Sequence, residues 1–418
     1  MERLLKVVKV KIDDIKFIKE LYPRFELDNY SVNQYRQSVE LLPPILISKN
    51  NILIDGYHRL TAHKLEGKTE IEAEFFDSED QQEIFIEAIK RNNAHGKQLS
   101  IDEKRRLTPI LYEKGISLDD IGSILAVGKT KIYDWTKTLR EKETEQRNIE
   151  ILDLYLQCWT QEQIAEKLEV SHQTIGRAVQ DSVDGKMDII PDNLQLYNVW
   201  NVGKLSQTQL KYPGQTPLDI VENIVYYYTA SPQVGPLKLS KVVDPMAGSG
   251  IIRDACKKLN RRYLMYDIKP IREDIPIKHN DIVKGFPDEA KNTDLVYFDP
   301  PYYNLMDEYP DNGFTLSYDH FLHVMRLAFL NFIEILNEAG KVALILKPMN
   351  EEMLSGEWLD LTFDSIQIAK ELRYTIEKRI MVPLSTQQFT AFDVTRAKEQ
   401  KIMLNTLRDI VILRRPIK

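Results

Sequence analysis

The spacing of hydrophobic and polar residues divides the chain into three stretches. Residues 1–96 mix short apolar runs with helical spacing, which predicts a small α/β domain. Residues 97–185 keep helical spacing almost throughout and predict an all-α domain. In residues 190–418, apolar runs alternate with helical stretches, which is typical of a doubly wound, mostly parallel sheet. The strands predicted for that sheet are Leu239–Val243, Tyr263–Asp267, Asp294–Phe298, Lys341–Leu346 and Ile410–Arg414.

The all-α domain contains an internal repeat with a period of 43 residues. Ser117 and Ile121 of the first copy correspond to Thr160 and Ile164 of the second. In each copy a Ser or Thr can cap a first helix, and a second helix follows a short turn, for which Gly128 leaves room in the first copy. This layout predicts two helix-turn-helix units, with ordinary helix pairs as the alternative. The side chains predicted to contact DNA from the second helices are Lys129, Lys131, His172, Gln173, Thr174 and Arg177.

Composition indicates a folded protein with several domains. A chain of 418 residues is too long for one hydrophobic core, and 43% hydrophobic and 28% charged residues are ordinary values for a globular protein. The two cysteines, Cys158 and Cys256, are far apart, so no disulfide is predicted. The seven histidines show no metal-ligand spacing, so no metal is predicted either.

Charge and hydropathy bear on location and partners. No signal segment and no apolar run of membrane-spanning length occurs, so we predict a cytoplasmic protein without a membrane partner. The net charge of −7 means that any surface for nucleic acid must be a local basic face. Residues 365–418, with 11 basic and 5 acidic side chains, are one candidate for such a face.

The strongest chemical signal is Asp299-Pro300-Pro301-Tyr302, which directly follows the apolar run Leu295–Phe298. A carboxylate after a parallel strand points into the crevice where α/β folds bind ligands. The exocyclic amino group of a base is a poor nucleophile because its lone pair is conjugated into the ring. If the Asp299 carboxylate and the Pro300 carbonyl accept its two hydrogens, that lone pair becomes available to attack a methyl sulfonium, with Tyr302 stacked on the base.

A glycine-rich turn lies upstream of this tetrapeptide. The segment Val242–Gly250 predicts a strand that runs into a turn and then a helix. It lacks the spacing of a phosphate-binding loop or of a dinucleotide fingerprint, so a ligand without phosphate fits better. Asp267 closes the next predicted strand, where an acidic side chain usually binds ribose hydroxyls. Asp281 is placed to accept a hydrogen bond from an adenine amino group; solvated loop carboxylates are the alternative for both.

Together these motifs resemble the DNA amino-methyltransferases, which modify adenine N6 or cytosine N4. The resemblance covers roughly residues 195–418 and includes the segment Tyr212–Leu218, which in that family contacts the cofactor. It implies S-adenosyl-L-methionine as cofactor and Asp299, Pro300, Pro301 and Tyr302 as catalytic residues. The residues that it implies for cofactor binding are Gln215, Thr216, Pro217, Asp244, Pro245, Met246, Ala247, Gly248, Gly250, Asp267 and Asp281. Unlike many members, the chain has no large insertion for target recognition beside the catalytic motif.

The first domain carries a second resemblance. The segment Ile54–Ala62 resembles the ParB and sulfiredoxin-like superfamily, in which a turn of this kind opens a helix and can bind nucleotide phosphate. The residues implied for phosphate binding are Gly56, His58 and Arg59. Tyr57 stands where sulfiredoxins carry a reactive cysteine, so sulfiredoxin activity is excluded. The alternative is that this domain is a scaffold that binds no nucleotide.

We therefore predict a site-specific DNA methyltransferase that prefers adenine N6, in which the front half docks on double-stranded DNA. The alternatives are a cytosine-N4 methyltransferase, an RNA base methyltransferase, and a ParB-like regulatory protein with a vestigial methyltransferase half. A nucleotide at the first domain and a homodimer are further partners left open. The enzyme could work in a restriction-modification system or alone.

Overall fold

The structure is a computed structural model in which the chain forms two compact units. They are residues 1–146, the N-terminal unit, and residues 147–418, the C-terminal unit. The residues that the structure describes are 7–24, 27–94, 98–183, 189–201, 216–231, 239–301, 317–346, 349–350, 358–383, 390–401, 403–404 and 406–417.

A four-stranded sheet and its helices build the N-terminal unit. Its elements are β1 (Val8–Lys11), α1 (Asn29–Arg36), β2 (Ile45–Ser48), β3 (Leu53–Asp55), α2 (Tyr57–Leu65), β4 (Glu70–Phe76), α3 (Gln81–Ala94), α4 (Ile101–Glu113), α5 (Leu118–Leu125) and α6 (Lys129–Leu156), whose last turns belong to the C-terminal unit. The strand order is β1-β4-β2-β3, with only β4 and β2 parallel among these neighbours. Ile45 and Ile47 pack with Leu60 of α2, whereas Leu46 packs with α3, because alternate strand residues face opposite sides. The sheet with α1, α2 and α3 corresponds to the small α/β domain predicted for residues 1–96, but the unit continues to residue 146 and also includes α4, α5 and most of α6.

The C-terminal unit is a seven-stranded sheet covered by helices. Its elements are α7 (Gln161–Leu168), α8 (His172–Val183), α9 (Leu218–Tyr228), β5 (Lys241–Asp244), α10 (Ile251–Lys258), β6 (Arg262–Asp267), β7 (Ile277–His279), β8 (Thr293–Phe298), α11 (Tyr318–Ile335), β9 (Leu336–Leu346), β10 (Met349–Asn350), β11 (Trp358–Leu359), α12 (Leu361–Glu371), β12 (Thr375–Pro383), α13 (Ala391–Gln400) and β13 (Leu407–Arg414). The order is β12-β13-β9-β8-β5-β6-β7, and β10 and β11 form a separate two-stranded sheet. Five neighbouring strands, β9 to β7, are parallel, and β13 is antiparallel to both of its neighbours. The predicted mostly parallel α/β sheet is confirmed.

The sheet is buried on both faces, as strands of a parallel sheet usually are. Val242 and Leu295 pack with α9 and α10 on one face, whereas Val243 and Val296 pack with α11 and α12 on the other. The ends of the strands are therefore fixed in position between two layers of helices.

The two helix pairs of the internal repeat are present at the same 43-residue offset, as α5 with α6 and α7 with α8. Ser117 caps α5 and Thr160 caps α7, each by accepting a backbone N–H bond. The left-handed residues at the turns are Ala126 and Glu169, with φ of 49° and 52°. The prediction that Gly128 permits the first turn is wrong, because the left-handed conformation is taken two residues earlier.

The second helix pair is attached to the C-terminal sheet through the end of α6. Leu156 is 3% exposed and lies in the same core as Tyr263 of β6. Asp153 forms an ion pair with Lys257 at the end of α10, and the Tyr155 ring lies 5.1 Å from the Arg262 guanidinium. The structure thus groups residues 147–183 with the sheet, whereas the sequence predicts boundaries at 96 and 185–190. The predicted turn at Asp184-Gly185 lies outside the described residues.

Membrane insertion can be judged from the helices. In the described part of the chain, none combines the length and the apolar composition that a transmembrane helix requires.

Candidate active site

Acidic side chains gather at one edge of the C-terminal sheet. Asp244 ends β5, Asp267 ends β6, and Asp299 directly follows β8. Since these strands are parallel neighbours, their carboxyl ends meet at the same edge, where α/β folds bind ligands. We call this edge the catalytic edge. The sequence predicts all three as site residues, Asp299 as catalytic and Asp244 and Asp267 as cofactor-binding, and these roles stay predictions.

The glycine-rich turn between β5 and α10 is held against β6. The Ala247 N–H donates to the Tyr266 carbonyl at 2.9 Å, and the Gly248 N–H donates to Asp267 Oδ2 at 3.0 Å. Asp244 Oδ1 accepts the Met246 N–H at 3.1 Å. A carboxylate has about four acceptor sites, so Asp267 retains capacity for further donors such as ribose hydroxyls.

Gly250, at the end of this turn, has no room for a side chain. Its φ of 74° is left-handed, and an added Cβ would lie 2.2 Å from Ile275 Cδ1. We expect Gly250→Ala to weaken S-adenosylmethionine binding at least about tenfold, because strain of about 1–3 kcal/mol must shift the turn. Isothermal titration calorimetry would measure this loss.

Gly285→Ala is the matched control for that prediction. Gly285 also has a positive φ, of 95°, but an added Cβ there would have no neighbour within 4 Å. Equal losses of affinity in the two variants would show that backbone strain alone, and not the close approach at Ile275, is responsible.

The Asp299 carboxylate belongs to a hydrogen-bonded chain. Thr216 Oγ1 donates to Asp299 Oδ2 at 2.5 Å, and Arg408 Nη1 donates to Thr216 Oγ1 at 2.7 Å. The Tyr297 hydroxyl lies 3.5 Å from Asp299 Oδ2, which is long for a hydrogen bond. Thr216 and Arg408 are 2% and 7% exposed, so these groups are largely removed from water.

Arg408 is a site residue that reasoning from the sequence missed. It is the second residue of β13, and Asp409 beside it pairs with Leu346 at the carboxyl end of β9. Because β13 is antiparallel, it begins at the catalytic edge, where the parallel strands end. A basic residue followed by an acidic one just before the apolar run Ile410–Leu413 was the only signal in the sequence.

Burial and like charges shift the ionisation of the acidic groups. Loss of water raises the pKa of Asp299, while the Arg408 charge and the Thr216 hydrogen bond lower that pKa. The pKa of Asp244 is raised well above its usual value, first by burial and then by the Asp299 and Asp267 charges. An edge lined by three acidic groups suits a ligand that carries positive charge, as S-adenosylmethionine does at its sulfonium and ammonium groups. The residues present therefore fit this cofactor.

The other residues predicted for this site have varied positions. Asp281 accepts the Val283 N–H at 3.2 Å and pairs with Lys284 at 3.1 Å, just beyond β7. Pro217 precedes α9 as its N-terminal flanking residue, beside Thr216. Pro245 and Pro300 are buried, and Pro301 is partly exposed. Gln215 and Tyr302 lie outside the described residues, so their predicted roles stay predictions.

The residues predicted to contact DNA are divided between the two units. Lys129 and Lys131 belong to the N-terminal unit, and both are exposed, with Lys129 Nζ 2.8 Å from Asp119. On α8 of the C-terminal unit, His172, Gln173 and Arg177 are exposed, whereas Thr174 Oγ1 contacts Ser171 Oγ at 2.9 Å. The end of α6 packs where β5 and β6 begin, at the edge opposite to the catalytic edge. The helix α8 packs against the same end of α6.

The phosphate-binding residues predicted in the N-terminal unit are engaged with the protein itself. Gly56 has φ of 102° and precedes α2. Arg59 donates to the carbonyls of Pro43 and Pro44 and to Asp55 Oδ2, the last at 2.8 Å. His58 Nε2 accepts the Asp28 N–H at 2.9 Å. These bonds engage three of the five N–H donors of Arg59, and phosphate binding stays a prediction.

Known protein families include one that matches this chain. Residues 108–277, less than half of the chain, match a family of N6/N4 methyltransferases described as DNA methylase. The chain is similar to DNA methylases there. This match confirms the predicted resemblance to the DNA amino-methyltransferases and supports S-adenosylmethionine as the cofactor. It includes Asp244–Gly250 and Asp267 but ends before Asp281 and Asp299.

Individual proteins are similar to parts of the chain. The streptomycin biosynthesis operon possible regulatory protein of Streptomyces griseus is 36% identical over 89 residues, 21% of this chain and 25% of that protein. The chain thus spans about a quarter of the length of this curated relative. ParB from Caulobacter crescentus, solved in complex with its centromeric parS site, is 14% identical over 41% of this chain and 84% of its own, with a TM-score of 0.26. A SAM-dependent methyltransferase from Archaeoglobus fulgidus is 11% identical over 47% of this chain and 94% of its own, with a TM-score of 0.30.

Proposed function

We propose that the protein transfers a methyl group from S-adenosylmethionine to the exocyclic amino group of a base in duplex DNA, with adenine N6 as the preferred target. The observation that carries this proposal is the Asp299 carboxylate. It stands at the catalytic edge beside the glycine-rich turn, hydrogen-bonded by Thr216 and next to the buried Arg408. The match to DNA methylases supports the reaction class. Preference for adenine rests on the resemblance alone.

In the proposed reaction the protein activates the amino group. The Asp299 carboxylate and the Pro300 carbonyl accept its two hydrogens, which directs the nitrogen lone pair out of the ring plane. S-adenosylmethionine supplies an electrophilic methyl on a sulfonium. A nitrogen–carbon bond forms as the carbon–sulfur bond breaks, and the nitrogen then releases one proton, which the ionised Asp299 is placed to receive.

The glycine-rich turn and its neighbours hold the cofactor in this proposal. Asp267 would accept the ribose hydroxyls and Asp281 the adenine amino group, while the turn at Gly248 lets the backbone approach the amino-acid part. Asp244, whose pKa is raised well above its usual value, lies beside this turn at the end of β5. Tyr302 is proposed to stack on the extruded base.

The front half is proposed to bring the enzyme to DNA. Each helix pair, two helices joined by a short turn, is proposed to act as a helix-turn-helix unit, which inserts its second helix into the major groove of B-form DNA. A nucleotide at Gly56–Arg59, a homodimer and a cytoplasmic location are retained as predictions.

Analysis of methylated nucleosides tests the proposed function. The full chain, incubated with labelled S-adenosylmethionine and duplex DNA, should place label in DNA, and mass spectrometry of the nucleosides should detect N6-methyladenine. Detection of N4-methylcytosine would show that cytosine is the target base and would leave the proposed reaction unchanged. Label in RNA alone, or DNA binding without any transfer, would contradict the proposal and favour an RNA enzyme or a regulatory protein.

A further inference from the structure

Arg408 is linked to the reacting carboxylate through Thr216. Its Nη1 donates to Thr216 Oγ1 at 2.7 Å, and that hydroxyl donates to Asp299 Oδ2 at 2.5 Å. A hydroxyl has a single hydrogen, and its oxygen also accepts. Since the Thr216 oxygen accepts from Arg408, the guanidinium fixes the direction in which the hydroxyl hydrogen points. Asp299 Oδ2 is thereby held, and among the described residues the hydrogen bonds of this carboxylate go to Oδ2, which leaves Oδ1 for the amino group of a base.

Arg408 also supplies a positive charge that acts on this carboxylate. Charged groups that are buried need a partner of opposite charge or hydrogen bonds to remain charged. The groups that act on Asp299 are Arg408 on β13, Tyr297 on β8 and Thr216 before α9; Asp244 at the end of β5 is coupled to it as a like charge. Among these side chains Arg408 is the one that carries positive charge.

The proposed function does not by itself require this residue. The match to DNA methylases ends at residue 277, so nothing in it assigns a role to Arg408. A side chain that merely fills space at the start of β13 would not need to bond the hydroxyl that bonds the catalytic carboxylate. Arg379, on the neighbouring strand, shows what a structural arginine does here, since it pairs with Asp409 at 3.0 Å.

We propose that Arg408, acting through Thr216, is a positioning residue that keeps the Asp299 carboxylate ionised and turned toward the amino group of the target base. This inference rests on the proposed methyl transfer. In this proposal Arg408 acts on the Asp299 carboxylate and not on the base. Its loss should therefore affect the chemical step and its pH dependence more than the binding of cofactor or DNA.

The test is the pH profile of the full-length Arg408→Gln variant. Without the positive charge the pKa of Asp299 rises, so the acid limb of kcat/KM should move to higher pH by about one unit or more. Activity at pH 7 should fall at least about tenfold and recover partly at pH 9, with KM for DNA changed little. Arg408→Lys, which retains the charge, should restore much of the activity at pH 7.

Arg379→Gln is the matched control, because it removes an arginine from β12 that pairs with Asp409 and not with the Thr216 hydroxyl. It should leave the pH profile unchanged. A pH profile of Arg408→Gln that coincides with that of Arg379→Gln would overturn the positioning role. If Arg408→Gln does not fold, Thr216→Val and Thr216→Ser take its place, and equal kcat values for these two would also overturn it.

A direct titration separates this inference from the proposed function. Carboxyl 13C NMR of aspartate-labelled protein, with Asp299 assigned from the Asp299→Asn variant, should show a higher pKa of Asp299 in Arg408→Gln than in the wild type. That shift is expected in the absence of any substrate. If the pKa of Asp299 shifts but the wild type transfers no methyl group, only the proposed function is contradicted. If the wild type transfers methyl groups but the pKa does not shift, only this inference is contradicted.

Discussion

Replacing Asp299 by Asn should lower methyl transfer to duplex DNA by about a thousandfold, which is the magnitude expected when an acceptor that acts on the reacting group is lost. Asn has the same shape, but one of its two polar atoms is a donor, and it carries no charge. It can neither accept the amino hydrogen strongly nor receive the proton that the nitrogen releases. Transfer of labelled methyl under single-turnover conditions would measure the loss.

Cofactor binding provides the control for this variant. Asp267 and the turn at Gly248 are the predicted cofactor contacts, so Asp299→Asn should bind S-adenosylmethionine within a few-fold of the wild type. Removing one of three neighbouring carboxylates also lowers the pKa of Asp244, since the Asp299 charge raises it. Full transfer activity in Asp299→Asn would exclude the proposed mechanism.

The second large effect is expected from Leu156→Ala at the end of α6. Leu156 is 3% exposed in the core that also contains Tyr263, so truncation leaves a cavity beneath the sheet. Substitutions of this kind lower the free energy of unfolding by about 2–5 kcal/mol. The melting temperature of the C-terminal unit should fall by roughly 5–15 °C, which differential scanning calorimetry and the near-ultraviolet circular dichroism of its tyrosines would record.

Ile149→Ala is the matched control on the same helix, because Ile149 is 55% exposed. Its melting temperature should stay near that of the wild type. If Leu156→Ala leaves the melting of the sheet unchanged, residues 147–183 form a domain of their own and the boundary predicted near 185–190 describes the chain better.

Much of the fold could be predicted from the pattern of the sequence. Buried parallel strands are short apolar runs, and the predicted runs Tyr263–Asp267 and Asp294–Phe298 agree with β6 and β8 to within a residue. Two strands of the same sheet had no such signal. β12 is an edge strand whose residues are mostly exposed, and β7 has only three residues, so neither needs an apolar run.

The candidate site likewise contains residues that could be predicted from the sequence and residues that could not. Asp244, Asp267 and Asp299 follow apolar runs, and parallel strands necessarily end at one edge, so their grouping could be predicted by counting strands. Thr216 could be named from a family resemblance, but its bond to Asp299 joins residues 83 positions apart. Arg408 is 192 positions from Thr216, and no periodicity in the sequence connects them.

The sequence by itself determined the local chemistry and the order of elements: the helix pairs repeated after 43 residues, the glycine-rich turn, and the carboxylates that follow buried strands. These features depend on capping, side-chain period and turn geometry, which act over a few residues. Only the tertiary structure decided that the end of α6 packs beneath the sheet and that Arg408 lies beside the catalytic carboxylate. Both depend on pairing between distant segments, and an antiparallel strand such as β13 places its first residues at the catalytic edge only once its neighbours in the sheet are known.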